Sequence, residues 1–215
     1  TEIYFIDEGG SDGIDPGYDG ALLPIADNSF SIYTRTLQED NGENLAVNAL
    51  NFFEISQKII PLGITALASE DLIISISHNT VPADINIYLE DAFANTFTDL
   101  RNENFIFSPI SDLDGIGRFF IHITEDTMSD IDLTSNFINA YKEVNSEFIT
   151  IEGLYSQTGE INISLFNILG HKVLSASFDN SLNKRYISTR GISQGIYIVE
   201  LESSASRVTK KILIN

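Results

Sequence analysis

The chain contains no cysteine, no tryptophan and a single methionine among its 215 residues. Without cysteine, neither a disulfide framework nor a thiolate metal site is available. This absence is consistent with a compact domain that is held together by its hydrophobic core and has no covalent cross-links. No apolar run reaches the ~20 residues that a membrane-spanning helix needs. No basic and apolar leader opens the sequence, which begins directly against a predicted strand at Ile3 to Ile6. We therefore expect this sequence to be the C-terminal part of a longer protein.

Basic residues are scarce, and they are unevenly placed. The sequence has 12 basic and 31 acidic side chains, which gives a net charge of −19. Residues 137–215 hold eight of the basic and seven of the acidic side chains, so the other four basic and 24 acidic ones lie in residues 1–136. This acidic excess argues against nucleic acid as a partner, because phosphate backbones are bound through basic side chains. The abrupt change in charge predicts two modules with different surfaces.

The dominant hydrophobic periodicity is two. Apolar side chains occupy alternate positions in segments such as Ile85 to Leu89 and Phe119 to Ile123, which is typical of strands with one face on a core. Turn residues such as Asn41-Gly42 separate these segments, and a run of small polar residues after Asp126 is typical of a linker. The sequence therefore predicts an all-β chain of two antiparallel β-sandwiches. The predicted parts are an acidic sandwich at 1–126, a linker at 127–139 and a second sandwich at 140–215.

An acidic loop lies close to the start of the chain, where aspartates alternate with glycines between Asp7 and Gly20. The glycines allow tight folding, so several carboxylates and carbonyls can converge. Ca²⁺ accepts about six to eight such oxygen ligands in loose geometry. The spacing is not that of an EF-hand loop, and a solvated turn that uses Asp and Gly for their backbone freedom explains the same residues. The calcium hypothesis has as its candidate ligands Asp7, Asp12, Asp15 and Asp19.

Three segments near the C-terminus form the most specific pattern. One strand ends at the turn glycine Gly170, and a second strand begins at Gly195 with Tyr197 two residues later. A last strand at 209–215 carries paired lysines at its second and third positions. Together they resemble the type A C-terminal sorting domain of Bacteroidetes proteins exported by the type IX, or Por, secretion system. The acidic loop, together with segments such as Ile60 to Gly63, Ile87 to Asp91 and Arg118 to His122, is similar to the β-rich region that often precedes this domain in secreted flavobacterial proteins.

The resemblance implies a non-enzymatic export signal. In this family an outer-membrane β-barrel shuttle protein binds the folded domain after passage through the translocon. In many members a sortase then removes the domain and joins the cargo to anionic lipopolysaccharide. The protein is accordingly expected to pass through the periplasm and to be secreted or anchored at the cell surface. Gly170, Gly195 and Tyr197 are expected to maintain the fold. The expected partner contact consists of the terminal residues Lys210, Lys211, Ile212, Leu213, Ile214 and Asn215.

A short motif in the predicted linker, Asp126-Thr127-Met128, is similar to the Asp-Ser/Thr-apolar motif that Bacteroidetes O-glycosylate on exported proteins. The hypothesis is that Thr127 is modified.

Candidate catalytic residues are few. His78, His122 and His171 are the only histidines, and their positions on strands or in a turn favour structural or solvent-facing roles. The sequence has no Gly-x-Ser-x-Gly elbow, no His-Glu-x-x-His motif and no phosphate-binding glycine loop. We therefore expect no enzymatic activity. Two alternatives stay open: a carbohydrate-binding module or adhesin, such as one for gliding motility, and the non-catalytic tail of a secreted hydrolase.

Overall fold

The computed structural model describes residues 1–23, 30–38, 40–127, 137–143, 145–157, 159–204 and 207–215. The chain forms two compact units, Thr1–Thr134 and Ser135–Asn215, which we call unit 1 and unit 2. In the described residues, helical structure is confined to two 3-10 turns, Phe52–Glu54 and Leu154–Ser156. None of the described helices is long and apolar enough to cross a membrane. The predicted all-β fold class is confirmed.

Unit 1 is built mainly on one large sheet. Its strands are β1 (Glu2–Ile6), β2 (Gly20–Ala21), β3 (Phe30–Thr34), β4 (Leu45–Asn51), β5 (Gln57–Ala66), β6 (Leu72–Ile74), β7 (Asn86–Asp91), β8 (Thr96–Asp99), β9 (Phe105–Phe107) and β10 (Phe119–Thr124). The large sheet has the order β1-β4-β3-β5-β10-β7-β8, with β2 also beside β4. Strands β6 and β9 form a separate two-stranded sheet.

The two sheets of unit 1 share one hydrophobic core. Ile60 of β5 and Ile121 of β10 lie in the same buried cluster as Ile74 of β6. Most strand pairs in unit 1 are antiparallel, as predicted, but β1 and β4 run parallel, with Glu2 opposite Val47. The sequence pattern could not show this difference, because a half-buried strand has the same alternation in either direction.

Unit 2 is a smaller sandwich of two antiparallel sheets. Its strands are β11 (Asn139–Tyr141), β12 (Phe148–Glu152), β13 (Ile161–Asn167), β14 (Lys172–Phe178), β15 (Lys184–Ser188), β16 (Gly195–Glu202) and β17 (Arg207–Ile214). One sheet has the order β11-β12-β15, and the other has the order β14-β13-β16-β17. Fully buried side chains from both sheets, such as Ile149, Leu165 and Val199, meet in one core.

The division between the units falls at Thr134 and Ser135, inside the predicted linker at 127–139. Residues 128–136 of that linker lie outside the described residues. Asn139, the last residue of the predicted linker, is the first residue of β11.

Candidate functional site

The last strand of the chain has one side in the core and one side in solvent. β17 is an outermost strand of its sheet, and it pairs with β16 along its full length. Ile212 and Ile214 are 5% and 4% exposed and belong to the core of unit 2, whereas Leu213 between them is 60% exposed. This alternation divides the predicted partner contact. Lys210, Ile212 and Ile214 point inward, and Lys211 and Leu213 point outward.

Two lysines hold the end of this strand in place. The Lys210 Nζ donates to Asn139 Oδ1 of β11 at 2.7 Å. The Lys142 Nζ, just after β11, donates to Asn215 Oδ1 at 3.0 Å. An inward-pointing charge on an outer strand also discourages edge-to-edge pairing with other chains. Lys210 and Asn215 are therefore connected to the sandwich itself, and the outward side of β17 is what remains open to a partner.

Gly170 ends the turn between β13 and β14. Its φ of +79° is one that residues with a Cβ rarely adopt. The Asn167 Oδ1 closes the turn by accepting from the amides of Leu169 at 3.0 Å and His171 at 2.9 Å. The turn leaves Ile168 and Leu169 exposed. The structure therefore places Gly170 where a strand-breaking glycine was predicted.

Tyr197 and Gly195 shape the start of β16. The Tyr197 ring is buried in the core of unit 2, and its hydroxyl donates to the Ser193 carbonyl at 2.8 Å. Gly195 is the first residue of β16, with a φ of +155°, and it lies opposite Ile214. This pairing places the first residue of β16 beside the last residue of β17.

The acidic loop of unit 1 is tied down by internal contacts. Lys58 is buried, and its Nζ lies 2.6 Å from Asp12 Oδ1 and 2.6 Å from Glu54 Oε2. Burial alone would lower the pKa of Lys58, but the hydrogen bonds to Asp12 and Glu54 outweigh it and raise that pKa above its usual value. One calcium candidate, Asp12, therefore already faces a positive charge.

Two further candidates cap backbone amides. Asp15 accepts from the amide and the hydroxyl of Ser11 at 2.6 Å and 2.9 Å. Asp19 accepts from the amides of Asp15 and Ala49, both at 2.7 Å. Asp7 is exposed. Across the described residues, no three histidine or acidic side chains gather closely enough to hold a metal ion. The calcium site stays a prediction.

The structure also shows a buried polar pair that the sequence did not reveal. His122 Nε2 lies 2.7 Å from Glu90 Oε2, and both side chains are buried in unit 1. Asp91, on the opposite face of β7, makes a two-point contact with Arg118 at 2.7 Å and 3.0 Å. Finding these pairs requires the register between β7 and β10, which alternation alone does not give. The other two histidines, His78 and His171, are exposed, as is Thr127.

These features define unit 2 as a small β-sandwich module whose final strand offers one side to a partner. Residues 145–215 match the family model described as "Secretion system C-terminal sorting domain". The C-terminal part of the chain therefore carries a type IX secretion sorting signal. The protein is exported across the outer membrane to the cell surface or the extracellular space.

No curated protein matches the chain. Among solved structures, it is similar to a chain titled "Biofilm associated protein - BSP domain", with 9% sequence identity and a TM-score of 0.30. The match covers 74% of this chain and 27% of that chain. A likeness of this size carries no argument about the function of unit 1.

Proposed function

We propose that unit 2 is a secretion signal that acts by binding to an outer-membrane β-barrel shuttle protein of the type IX system. Unit 1 is then the cargo or a spacer. The observation that carries this proposal is the two-sided final strand. Its inward side chains complete the core of unit 2, while Lys211 and Leu213 stay available at the surface. Binding of a folded surface of this kind needs no bond to be made or broken in the chain.

A non-enzymatic role is part of the proposal. In unit 2 the single histidine, His171, is an exposed turn residue. In unit 1, His122 is buried against Glu90, where a substrate would have to displace packed side chains to reach it. These placements favour a solvent-facing role for His171 and a structural role for His122. A carbohydrate-binding module or adhesin, or the tail of a hydrolase, stays an alternative prediction for the part that includes unit 1.

The direct test is to transfer the signal. Residues 135–215 are fused to an inert reporter, and the fusion is directed to the periplasm of a bacterium that has a type IX system. We expect the reporter at the cell surface or in the medium, and we expect it in the periplasm of a matched strain without the system. Retention in the periplasm of both strains would contradict the proposal.

The structure shows why truncation is a poor substitute for this test. Deleting the last strand removes Ile212 and Ile214 from the core and leaves the edge of β16 unpaired. A retained truncation would therefore report misfolding as readily as a lost signal. Single outward substitutions, which leave the core intact, separate the two effects.

Three further proposals concern processing and ions. Cleavage by a sortase with attachment to anionic lipopolysaccharide, and glycosylation at Thr127, both change the intact mass of natively exported material. A mass equal to that of the bare polypeptide would contradict both. Calcium binding by the acidic loop would raise the melting temperature of the chelated chain, and an unchanged melting temperature would contradict it.

A further inference from the structure

The register of unit 2 aligns four side chains across the outward face of its larger sheet. Lys172 of β14 lies opposite Phe166 of β13, Phe166 opposite Ile198 of β16, and Ile198 opposite Lys211 of β17. Directly opposite residues in neighbouring strands point to the same side of a sheet. We call these four residues the outer row. Lys211 is exposed beside the buried Ile212, so the outer row faces away from the core.

A second line of apolar side chains borders the outer row. Ile196 lies opposite Leu213, two residues along each strand from Ile198 and Lys211, and these two side chains are 48% and 60% exposed. Ile168, two residues beyond Phe166, is 76% exposed in the turn. We call the outer row together with Ile168, Ile196 and Leu213 the outer patch. Single exposed apolar residues are ordinary on a protein surface, but a contiguous group marks a binding site.

The charges around the outer patch are arranged differently from those elsewhere in unit 2. The cations outside the patch have partners, which are Asn215 for Lys142, Glu152 for Lys184, Asp179 for Arg185, Glu147 for Arg190, Glu200 for Arg207 and Asn139 for Lys210. The Lys172 Nζ lies 5.5 Å from the centre of the Phe166 ring. Within the described part of the chain, the ammonium groups of Lys172 and Lys211 form neither an ion pair nor a hydrogen bond. The outer patch is therefore an apolar strip with an unneutralised ammonium group at each end of its outer row.

The rest of the same face is polar and self-paired. Glu200, on β16, forms an ion pair at 2.6 Å with Arg207 on β17. Thr209 lies opposite Glu200 in the same register. The apolar part of the face is thus confined to the end of the sheet that includes the last residues of the chain.

We propose that the outer patch is the docking surface for a protein component of the secretion machinery, one that has an apolar cleft flanked by carboxylates. This inference rests on the proposed function. The two ammonium groups are the complement of such carboxylates, and the apolar strip fills the cleft. An anionic membrane fits less well, because surfaces that bind anionic lipid usually carry clusters of about four to eight basic side chains, whereas the outer row carries two lysines. The contact involves the face of the sheet, so it does not require a partner strand to pair with the edge of β17.

Two matched pairs of substitutions test the proposal in the full chain, directed to the periplasm of a bacterium that has a type IX system. Lys211→Glu is compared with Arg190→Glu, which makes the same change of charge at an exposed site outside the patch. Leu213→Ser is compared with Leu182→Ser, since Leu182 is 52% exposed and also lies outside the patch. The positions are exposed, so we expect all four variants to keep the melting temperature of the original chain to within a few degrees.

We expect Lys211→Glu and Leu213→Ser each to lower the initial rate of export about tenfold, which corresponds to the loss of one central contact. Arg190→Glu and Leu182→Ser leave that rate unchanged. A photo-crosslinking amino acid at position 213 should couple to one envelope protein, and the same amino acid at position 182 should not. Replacing the partner's carboxylate at the crosslinked site by lysine should restore export of Lys211→Glu.

The outcomes separate the two proposals. Retention of the original chain in the periplasm would overturn the proposed function itself. Normal export of the original chain together with Lys211→Glu and Leu213→Ser would leave that function standing and overturn the docking surface. Binding of the purified chain to phosphatidylglycerol vesicles that is lost in Lys211→Glu would assign the outer patch to lipid and would also overturn the proposal.

Discussion

The ammonium nitrogen of Lys210 lies 2.7 Å from the side-chain oxygen of Asn139, and this contact joins the last strand of one sheet to the first strand of the other. Asn139 is buried and Lys210 is half-buried, so water is partly excluded from the contact. The terminal strand is thus connected to the rest of unit 2 in four ways. It pairs with β16, its isoleucines lie in the core, Lys210 donates to Asn139 across the sheets, and Lys142 donates to Asn215 just beyond its end.

We predict that Asn139→Ala destabilises the chain by about 1–3 kcal/mol, because it leaves the Lys210 ammonium group without this acceptor in a partly buried place. Urea denaturation measures the change, as the free energy of unfolding taken from the transition of unit 2. Lys211→Met is the control, since an outward lysine without an ion pair in the described residues should change the stability by less than about 0.5 kcal/mol. Equal effects of the two substitutions would show that the contact does not contribute.

Truncation of a side chain should cost much more stability on the inward side of β17 than on its outward side. Ile212→Ala leaves a cavity in the core and should cost about 2–4 kcal/mol. Leu213→Ala, one residue along, removes an exposed side chain and should cost less than about 0.5 kcal/mol. Equilibrium unfolding of both variants gives the comparison. A larger loss of stability for Leu213→Ala than for Ile212→Ala would mean that Leu213, and not Ile212, faces the core.

The Lys58 contacts should give unit 1 a dependence on alkaline pH. The pKa of Lys58 is raised in the folded state by its hydrogen bonds to Asp12 and Glu54, so the contribution is fully present below the unfolded pKa of 10.5. It is lost as the pH rises through the higher folded-state pKa. Lys58→Met should cost about 2 kcal/mol near neutral pH, because it leaves the Asp12 carboxylate without its partner.

As the pH rises from about 9 to about 12, the free energy of unfolding should fall less for Lys58→Met than for the original chain. The reason is that Lys58→Met lacks the titrating ammonium group. Unfolding free energies measured at several pH values test this expectation. Lys172→Met provides the reference for an exposed lysine without an ion pair in the described residues. Parallel pH profiles for Lys58→Met and the original chain would contradict the assignment.

Gly170 should be sensitive to any side chain for conformational reasons alone. A Cβ at this position would meet nothing within 4 Å, so the cost comes from the φ of +79°. We expect Gly170→Ala to destabilise unit 2 by about 1 kcal/mol, and Gly170→Asn to cost less, because asparagine tolerates this backbone conformation better. Thermal unfolding of the two variants measures the difference. A melting temperature of Gly170→Ala at or above that of Gly170→Asn would contradict the reason given.

The sequence predicted those features that depend on local patterns. The alternation of Phe119 to Ile123 predicted a strand, and β10 spans Phe119–Thr124. The position of Gly170 after an apolar strand predicted a turn, and the order of the C-terminal motifs indicated the sorting domain that the family model matches. These signals lie within a few residues of each other, so they need no knowledge of the remote partners.

Features that depend on register were not predictable. The parallel pairing of β1 with β4, the His122–Glu90 pair and the Lys58–Asp12 pair each join segments that are far apart in sequence. For the same reason, the sequence predicts a contact of one continuous segment at residues 210–215. The structure divides that segment between two faces and brings Lys172, Phe166 and Ile198 alongside its exposed half.

The outer row is assembled from four strands whose order in space differs from their order in the chain. A linear, unfolded C-terminus would present the same lysine and leucine without their neighbours, and half-formed chains would present them in other arrangements. Any receptor for this surface would consequently discriminate by conformation as well as by sequence. Only molecules in which the two sheets of unit 2 had packed together would then be exported.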